Sequence, residues 1–98
     1  MTMKNAHNII DRFTGSVIFT AEIQVADDAP RALRLGAVTA VAIAAKANLR
    51  GADLKCADLN CADLAGADLR GADLYGAIIG IAQRDAVLKA LGVKLEEK

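Results

Sequence analysis

The chain of 98 residues offers little material for chemistry: one histidine (His7), two cysteines (Cys56 and Cys61), one serine (Ser16) and one tyrosine (Tyr75). Nucleophilic catalysis needs a base and an orienting partner beside a Ser, Cys or Thr, and the sole imidazole stands far along the chain from both thiols. A zinc site would need two ligands beyond the cysteine pair, and His7, the only histidine, stands far outside their segment. The remaining candidate is an acidic ladder, Asn48 followed by Asp53, Asp58, Asp63, Asp68 and Asp73, one every five residues. Aligned carboxylates could hold a metal or imitate a phosphate backbone. Arg50, Lys55 and Arg70 interrupt the ladder two positions along, however, and short Asp side chains more simply face water and accept backbone N–H groups at bends. No catalytic, cofactor-binding or metal-ligating set emerges; the chain reads as no enzyme, with no cofactor and no small-molecule substrate.

Twelve basic against twelve acidic side chains leave no net field, which argues against nucleic acid or membrane as partner. The hydrophobic fraction is 54%, but only 3% is aromatic, so a single domain with a narrow core is expected. Met1 to Phe13 lacks the apolar stretch of a secretory signal. The longest weakly polar run, Leu35 to Ala45, is far shorter than the roughly 20 residues that span a bilayer. Two thiols in an otherwise ordinary chain suit a reducing compartment, and a cytoplasmic location is the expectation.

What must position these side chains is a repeat. From Ala47 the sequence reads ANLRG, ADLKC, ADLNC, ADLAG, ADLRG, ADLYG, AIIGI. Ala47, Ala52, Ala57, Ala62, Ala67, Ala72 and Ala77 open the quintets; Leu49, Leu54, Leu59, Leu64, Leu69, Leu74 and Ile79 centre them. Five steps of about 100° would scatter the leucines around a helix, and Gly51, Gly66, Gly71 and Gly76 would each cost about 1 kcal/mol there. A flat strand would send successive leucines to opposite faces. The chain has to turn a corner at each quintet boundary, so that these fourteen alanines, leucines and isoleucine point inward as the structural core.

The tandem A(D/N)LXX pattern resembles the pentapeptide-repeat proteins. The resemblance implies a mainly β fold, a right-handed quadrilateral β-helix of about two coils with four quintets per coil, so that residue i lies under i+20. Leu49 then sits under Leu69, Leu54 under Leu74 and Leu59 under Ile79. Asn8 to Phe19 also resembles the segment preceding the repeats in phage- and prophage-encoded members.

A solenoid cannot bury its own end faces, so the flanks are expected to cap it. Within a single domain, residues 1–14 read as a leader and 15–46 as a strand and a cap helix. Residues 47–81 are the repeats, 82–92 a C-terminal cap helix and 93–98 a tail. Val17, Phe19, Ala21, Ile23 and Val25 alternate with polar residues after Gly15, as in a half-buried strand that pairs with the first coil. Asp27-Asp28-Ala29-Pro30 reads as a helix start, followed by a helix to about Lys46 with Leu33, Ala37, Val41 and Ala44 on one apolar face and Lys46 at the negative end.

Cys56 and Cys61 should face outward at neighbouring corners, too far apart for the roughly 7 Å limit of a disulfide. Tyr75 above Lys55 forms a possible outer contact face. Val87, Leu88 and Leu91 exceed what a small coil can cover, which predicts a homodimer through the C-terminal ends. These features point to a non-catalytic protein-interaction or scaffold module, self-association included. The alternative comes from the resemblance: some family members imitate duplex DNA and inhibit type II topoisomerases. This chain departs from them in its short length and near-neutral charge.

Overall fold

Each quintet closes on a corner with a fixed hydrogen-bond pattern. The computed structural model describes residues 6–26, 28–60 and 62–92, and within it the N–H of every leading alanine from Ala52 to Ala77 donates to the carbonyl of the residue three before it, at 2.9–3.2 Å. The third residue of such a turn needs a positive φ when the turn is of the type that favours glycine. That residue is the fifth of the quintet: Gly51, Gly66, Gly71 and Gly76 have φ of 71°, 79°, 75° and 73°. Cys56 adopts φ 61° in the same place, a conformation that costs an L-residue about 1–2 kcal/mol. Inside each corner the second residue acts as a clamp. Oδ1 of Asn48, Asp53, Asp58, Asp63, Asp68 and Asp73 accepts the backbone N–H two residues on, at 3.0–3.3 Å.

Four corners return the chain over itself. Asn48 bridges Asp68 and Asp53 bridges Asp73, both parallel, and β3 (Asp58–Leu59) pairs in parallel with β4 (Ile78–Ile79). Every pairing joins residue i to i+20. The N–H groups of Leu49, Gly51, Leu54 and Cys56 donate upward to the carbonyls of Asp68, Arg70, Asp73 and Tyr75, and those of Asp73 and Ile78 donate downward to Ala52 and Ala57. Regular structure is thus confined to short strands and isolated bridges, because a side of five residues with a corner in it leaves two residues to pair.

The N-terminal cap is built otherwise than the sequence suggests. The segment read as a leader contains β1 (Ala6–Ile10), which pairs antiparallel with β2 (Val17–Glu22) through a register shift between Ile9 and Ile10. Ile9 is fully buried. It is this first strand that meets the repeats: Asp11 bridges Ala52, Ile10 accepts the N–H of Asp53, and Arg12 donates its N–H to Gly51. Ile23 is buried, while Phe19, Ala21 and Val25 pack at the core margin. Val17, expected inside, is 55% exposed.

The helix α1 (Arg31–Ala44) starts after Pro30 with no side-chain cap; Asp28 does not supply one, and Asp27 lies outside the described residues. Its buried face is Leu35, Gly36, Val38, Thr39 and Ala42, not the expected one: Leu33, Val41 and Ala44 are exposed and Ala37 is half-buried. The expected stripe is the more apolar of the two, yet close approach decides the face, and the choice falls to Gly36. A Cβ there would collide with the carbonyl of Asp58, so only the glycine side lets α1 lie directly on β3. Thr39, buried with that face, satisfies its hydroxyl by donating to the Leu35 carbonyl at 2.7 Å. Lys46, at the helix end, has φ 59°.

Past the repeats come a 3-10 turn (Ile81–Gln83) and α2 (Arg84–Ala90). They stand in for a third coil. The N–H of Leu64 donates to Oε1 of Gln83 at 2.9 Å, the residue whose backbone carbonyl a further coil would place there, and that of Leu69 donates to the Ala90 carbonyl at 2.9 Å. The expected tail, residues 93–98, lies outside the described residues.

Candidate functional site

The fourteen residues assigned to the interior do not lie equally deep. Leu49, Ala52, Leu54, Ala57, Leu59, Leu64 and Leu69 are at most 1% exposed. Ala47, Ala62, Ala67, Ala72, Leu74, Ala77 and Ile79 are half-buried. The gradient runs upward, with Leu54 and Leu59 sealed beneath Leu74 and Ile79. The cause is the cap: α2 lies over the fourth and fifth quintets, and the backbone N–H groups of Leu74 and Gly76 find no acceptor among the described residues. Ile78, 54% exposed, and Ile81, 94% exposed, lie at this upper edge, which no other element among the described residues covers.

Val87, Leu88 and Leu91, assigned to a dimer contact, turn toward the molecule's own core. Val87 is 7% exposed and the other two pack half-buried against the coil. Among the described residues, those left uncovered at this end belong to the sixth and seventh quintets.

On the side formed by residues 52–56 and 72–76, Lys55 and Tyr75 are both exposed, Tyr75 by 81%. The carbonyl of Lys55 accepts a bond from the Arg31 guanidinium at 3.0 Å, which ties α1 to this side. A second aromatic stands at its other end. Phe13 is 77% exposed and stacks under the Arg12 guanidinium at 4.9 Å, while Arg12 donates to the Gly71 carbonyl at 3.1 Å and lies 3.9 Å from Asp73. Asp73 also holds the Tyr75 N–H at 3.0 Å. The signal for Phe13 and Arg12 was Asp11, whose carboxylate organises the turn between β1 and β2 by accepting the N–H of Phe13 at 2.8 Å and of Thr14 at 3.0 Å. Those two bonds, that from Phe13 foremost, hold the Asp11 pKa below the ordinary aspartate value.

The acidic ladder is spent on structure. Asp68 receives both Arg50, at 2.8 Å, and Arg70, at 2.9 Å, in addition to clamping its own corner. Among the described residues no three His, Cys, Asp or Glu side chains converge as a metal site. Cys56 is a free, exposed thiol; Cys61 lies outside the described residues. No helix is long and apolar enough to cross a membrane, among the described residues.

Comparison with known proteins gives one positive result. Residues 42–79 match the model of a family described as pentapeptide repeats, in eight copies. The additional copy precedes Ala47: it is Ala42 to Lys46, the end of α1, and Lys46 takes the same left-handed φ as the later corners. No curated protein and no solved structure gives a match.

Proposed function

Since residues 42–79 make this a pentapeptide-repeat protein, a class of module that generally mediates protein interaction or scaffolding, we propose that the chain is a non-catalytic, protein-binding β-helical unit of the cytoplasm. Its repeats form a right-handed quadrilateral β-helix of about two coils, closed below by α1 and the β1–β2 hairpin and half closed above by α2. The i to i+20 pairings support that architecture.

The observation that carries the functional reading is the side bounded by Phe13 and Tyr75. Two of the chain's three aromatic residues stand on it almost fully exposed, with Arg12 and Lys55 beside them. Exposed aromatics and arginine are what protein interfaces concentrate at their centres. The duplex-mimic alternative gains no support, because Arg50 and Arg70 close on Asp68 and Arg12 approaches Asp73. Self-association belongs to the upper edge, where the N–H groups of Leu74 and Gly76 have no acceptor among the described residues and would invite another strand.

Capture from lysate with the wild type and with Phe13→Ala/Tyr75→Ala tests the contact side. Partners retained by the wild type and lost by the double variant support it; identical capture by both sinks it. Light scattering tests the edge: a dimer that Ile81→Glu converts to a folded monomer is expected, and a wild type that is monomeric at high concentration removes self-association from the proposal.

A further inference from the structure

Where the fourth and fifth quintets meet, a furrow runs along the solenoid from the end of α1 to α2. Two hollows of about 670 and 530 Å³ make it up, the lower reaching Ile43 and Ala47 and the upper Ala86 and Ala90. They adjoin at Ala65 to Asp68, which line both. The furrow follows from one departure in the repeat. In the first six quintets the fourth residue is exposed, and it is Arg50, Lys55, Asn60, Arg70 or Tyr75 everywhere except at Ala65. Twenty residues earlier, in the layer below, stands Ala45. Two alanines at stacked corners leave a trough where other corners carry long side chains.

Its rim is cationic. Among the described residues the charged lining is Lys46, Arg50, Arg70 and Lys89 against Asp68 alone, in a chain whose net charge is zero. Asp68 fixes two of those cations without neutralising both. Its Oδ2 accepts from Nε of Arg50 at 2.8 Å and from a terminal nitrogen of Arg70 at 2.9 Å, and its Oδ1 accepts from Nε of Arg70 at 3.0 Å. The two arginines are 52% and 55% exposed, so their remaining N–H donors reach solvent beside the furrow. A guanidinium already held on one edge loses less freedom when its other donors bind an oxyanion.

We propose that the furrow docks an acidic peptide segment of a partner protein, with its carboxylates on Arg50 and Arg70 and apolar residues between them on the alanine floor. From the layer of Lys46 to that of Lys89 is two steps of about 4.8 Å, a span covered by about three extended residues. Apolar floor and charged rim together suit a peptide. Neither Phe13 nor Tyr75 lines the furrow, so it offers no stacking platform for the bases of a nucleic acid. The site adds a second contact surface to the protein-binding reading and uses no residue of the Phe13–Tyr75 side.

Fluorescence anisotropy with labelled Glu-Leu-Glu-Val-Glu-Leu tests it at physiological ionic strength, where exposed charges more than about 8 Å apart are screened. Saturable one-to-one binding is expected. Arg50→Gln with Arg70→Gln should weaken it about tenfold or more. Ala65→Trp should do the same by filling the trough, and its Tm should match the wild type, since the same position of other quintets carries tyrosine or arginine. Lys55→Gln, and Phe13→Ala with Tyr75→Ala, should bind the peptide as the wild type does, which separates this site from the other contact side. No binding, equal binding of Gln-Leu-Gln-Val-Gln-Leu or of a six-nucleotide single-stranded DNA, or affinity unchanged by Ala65→Trp or by the arginine pair overturns the proposal. Binding seen only in the full chain carrying Glu96→Gln and Glu97→Gln would assign the furrow to the chain's own end and overturn it too.

Discussion

Gly36→Ala sets helix propensity against tertiary contact and should show which governs α1. In a helix interior, alanine is favoured over glycine by about 1 kcal/mol. The added Cβ, however, would overlap the Asp58 carbonyl oxygen and lie 2.8 Å from its carbon. Both atoms are backbone, so no rotamer can yield. The helix must back away by about 0.5–1 Å, which forfeits a quarter to a half of each dispersion contact along its buried face. Leu35, Val38, Thr39 and Ala42 share that face. If they make on the order of 50 contacts of about 0.15 kcal/mol each, the loss is about 2–4 kcal/mol. The net destabilisation is then about 1–3 kcal/mol, a fall in Tm of about 4–20 °C for a domain of this size. Differential scanning calorimetry should also be run on Ala40→Gly, an exposed position in the same helix, which should lose about 1 kcal/mol by propensity alone. Exchange in both directions is thus expected to destabilise. A higher Tm for Gly36→Ala would refute the argument, because α1 could not then rest on the β3 carbonyl.

Cys56→Gly should raise Tm by about 4–8 °C, about 1 kcal/mol, because glycine occupies φ 61° without the Cβ clash; a lower Tm would mean that the thiol contributes a contact worth more than the strain. Gln83→Met should cost about 1–2 kcal/mol by stripping the Leu64 N–H of its acceptor, whereas Gln83→Glu keeps an oxygen there and should cost less. Equal melting of the two variants would remove Gln83 from the cap. For Asp11 the folded pKa lies below the ordinary value of 3.8, so its stabilising effect is present above that value and is lost as pH falls through the lower, folded pKa. Asp11→Asn, which keeps an acceptor oxygen but cannot titrate, should therefore show a shallower loss of stability on acidification below about pH 4; parallel pH curves would contradict the shift.

The repeats were legible because their constraints are local. A positive φ every fifth residue calls for glycine, the corner calls for a short side chain that can clamp an N–H, and a narrow interior calls for Leu and Ala in fixed places. All three recur in the sequence at a period that neither helix nor strand accommodates; that residue i lies beneath i+20 was implied by the resemblance, since a period of five does not set the number of sides, and the bridges place it there. The additional quintet, Ala42 to Lys46, is not marked in the sequence, because it carries lysine where the others carry Gly or Cys and overlaps the end of a helix.

The caps were decided elsewhere. β1 has no periodicity of its own to announce it in five residues; it exists because Ile9 can be buried and because the lower edge of the second quintet has N–H and C=O groups that need partners. The orientation of α1 follows from one steric fact, the absence of a Cβ at Gly36 opposite Asp58, and hydropathy carries no trace of that fact when both stripes are apolar. Likewise, Val87 and Leu91 look like surplus apolar surface in sequence, yet α2 folds them onto the coil, and Leu74 and Ile79 are the ones left half-buried. A local rule repeats in sequence and can be read there, whereas a cap is a complementarity between surfaces distant in the chain, which takes shape only when those surfaces meet.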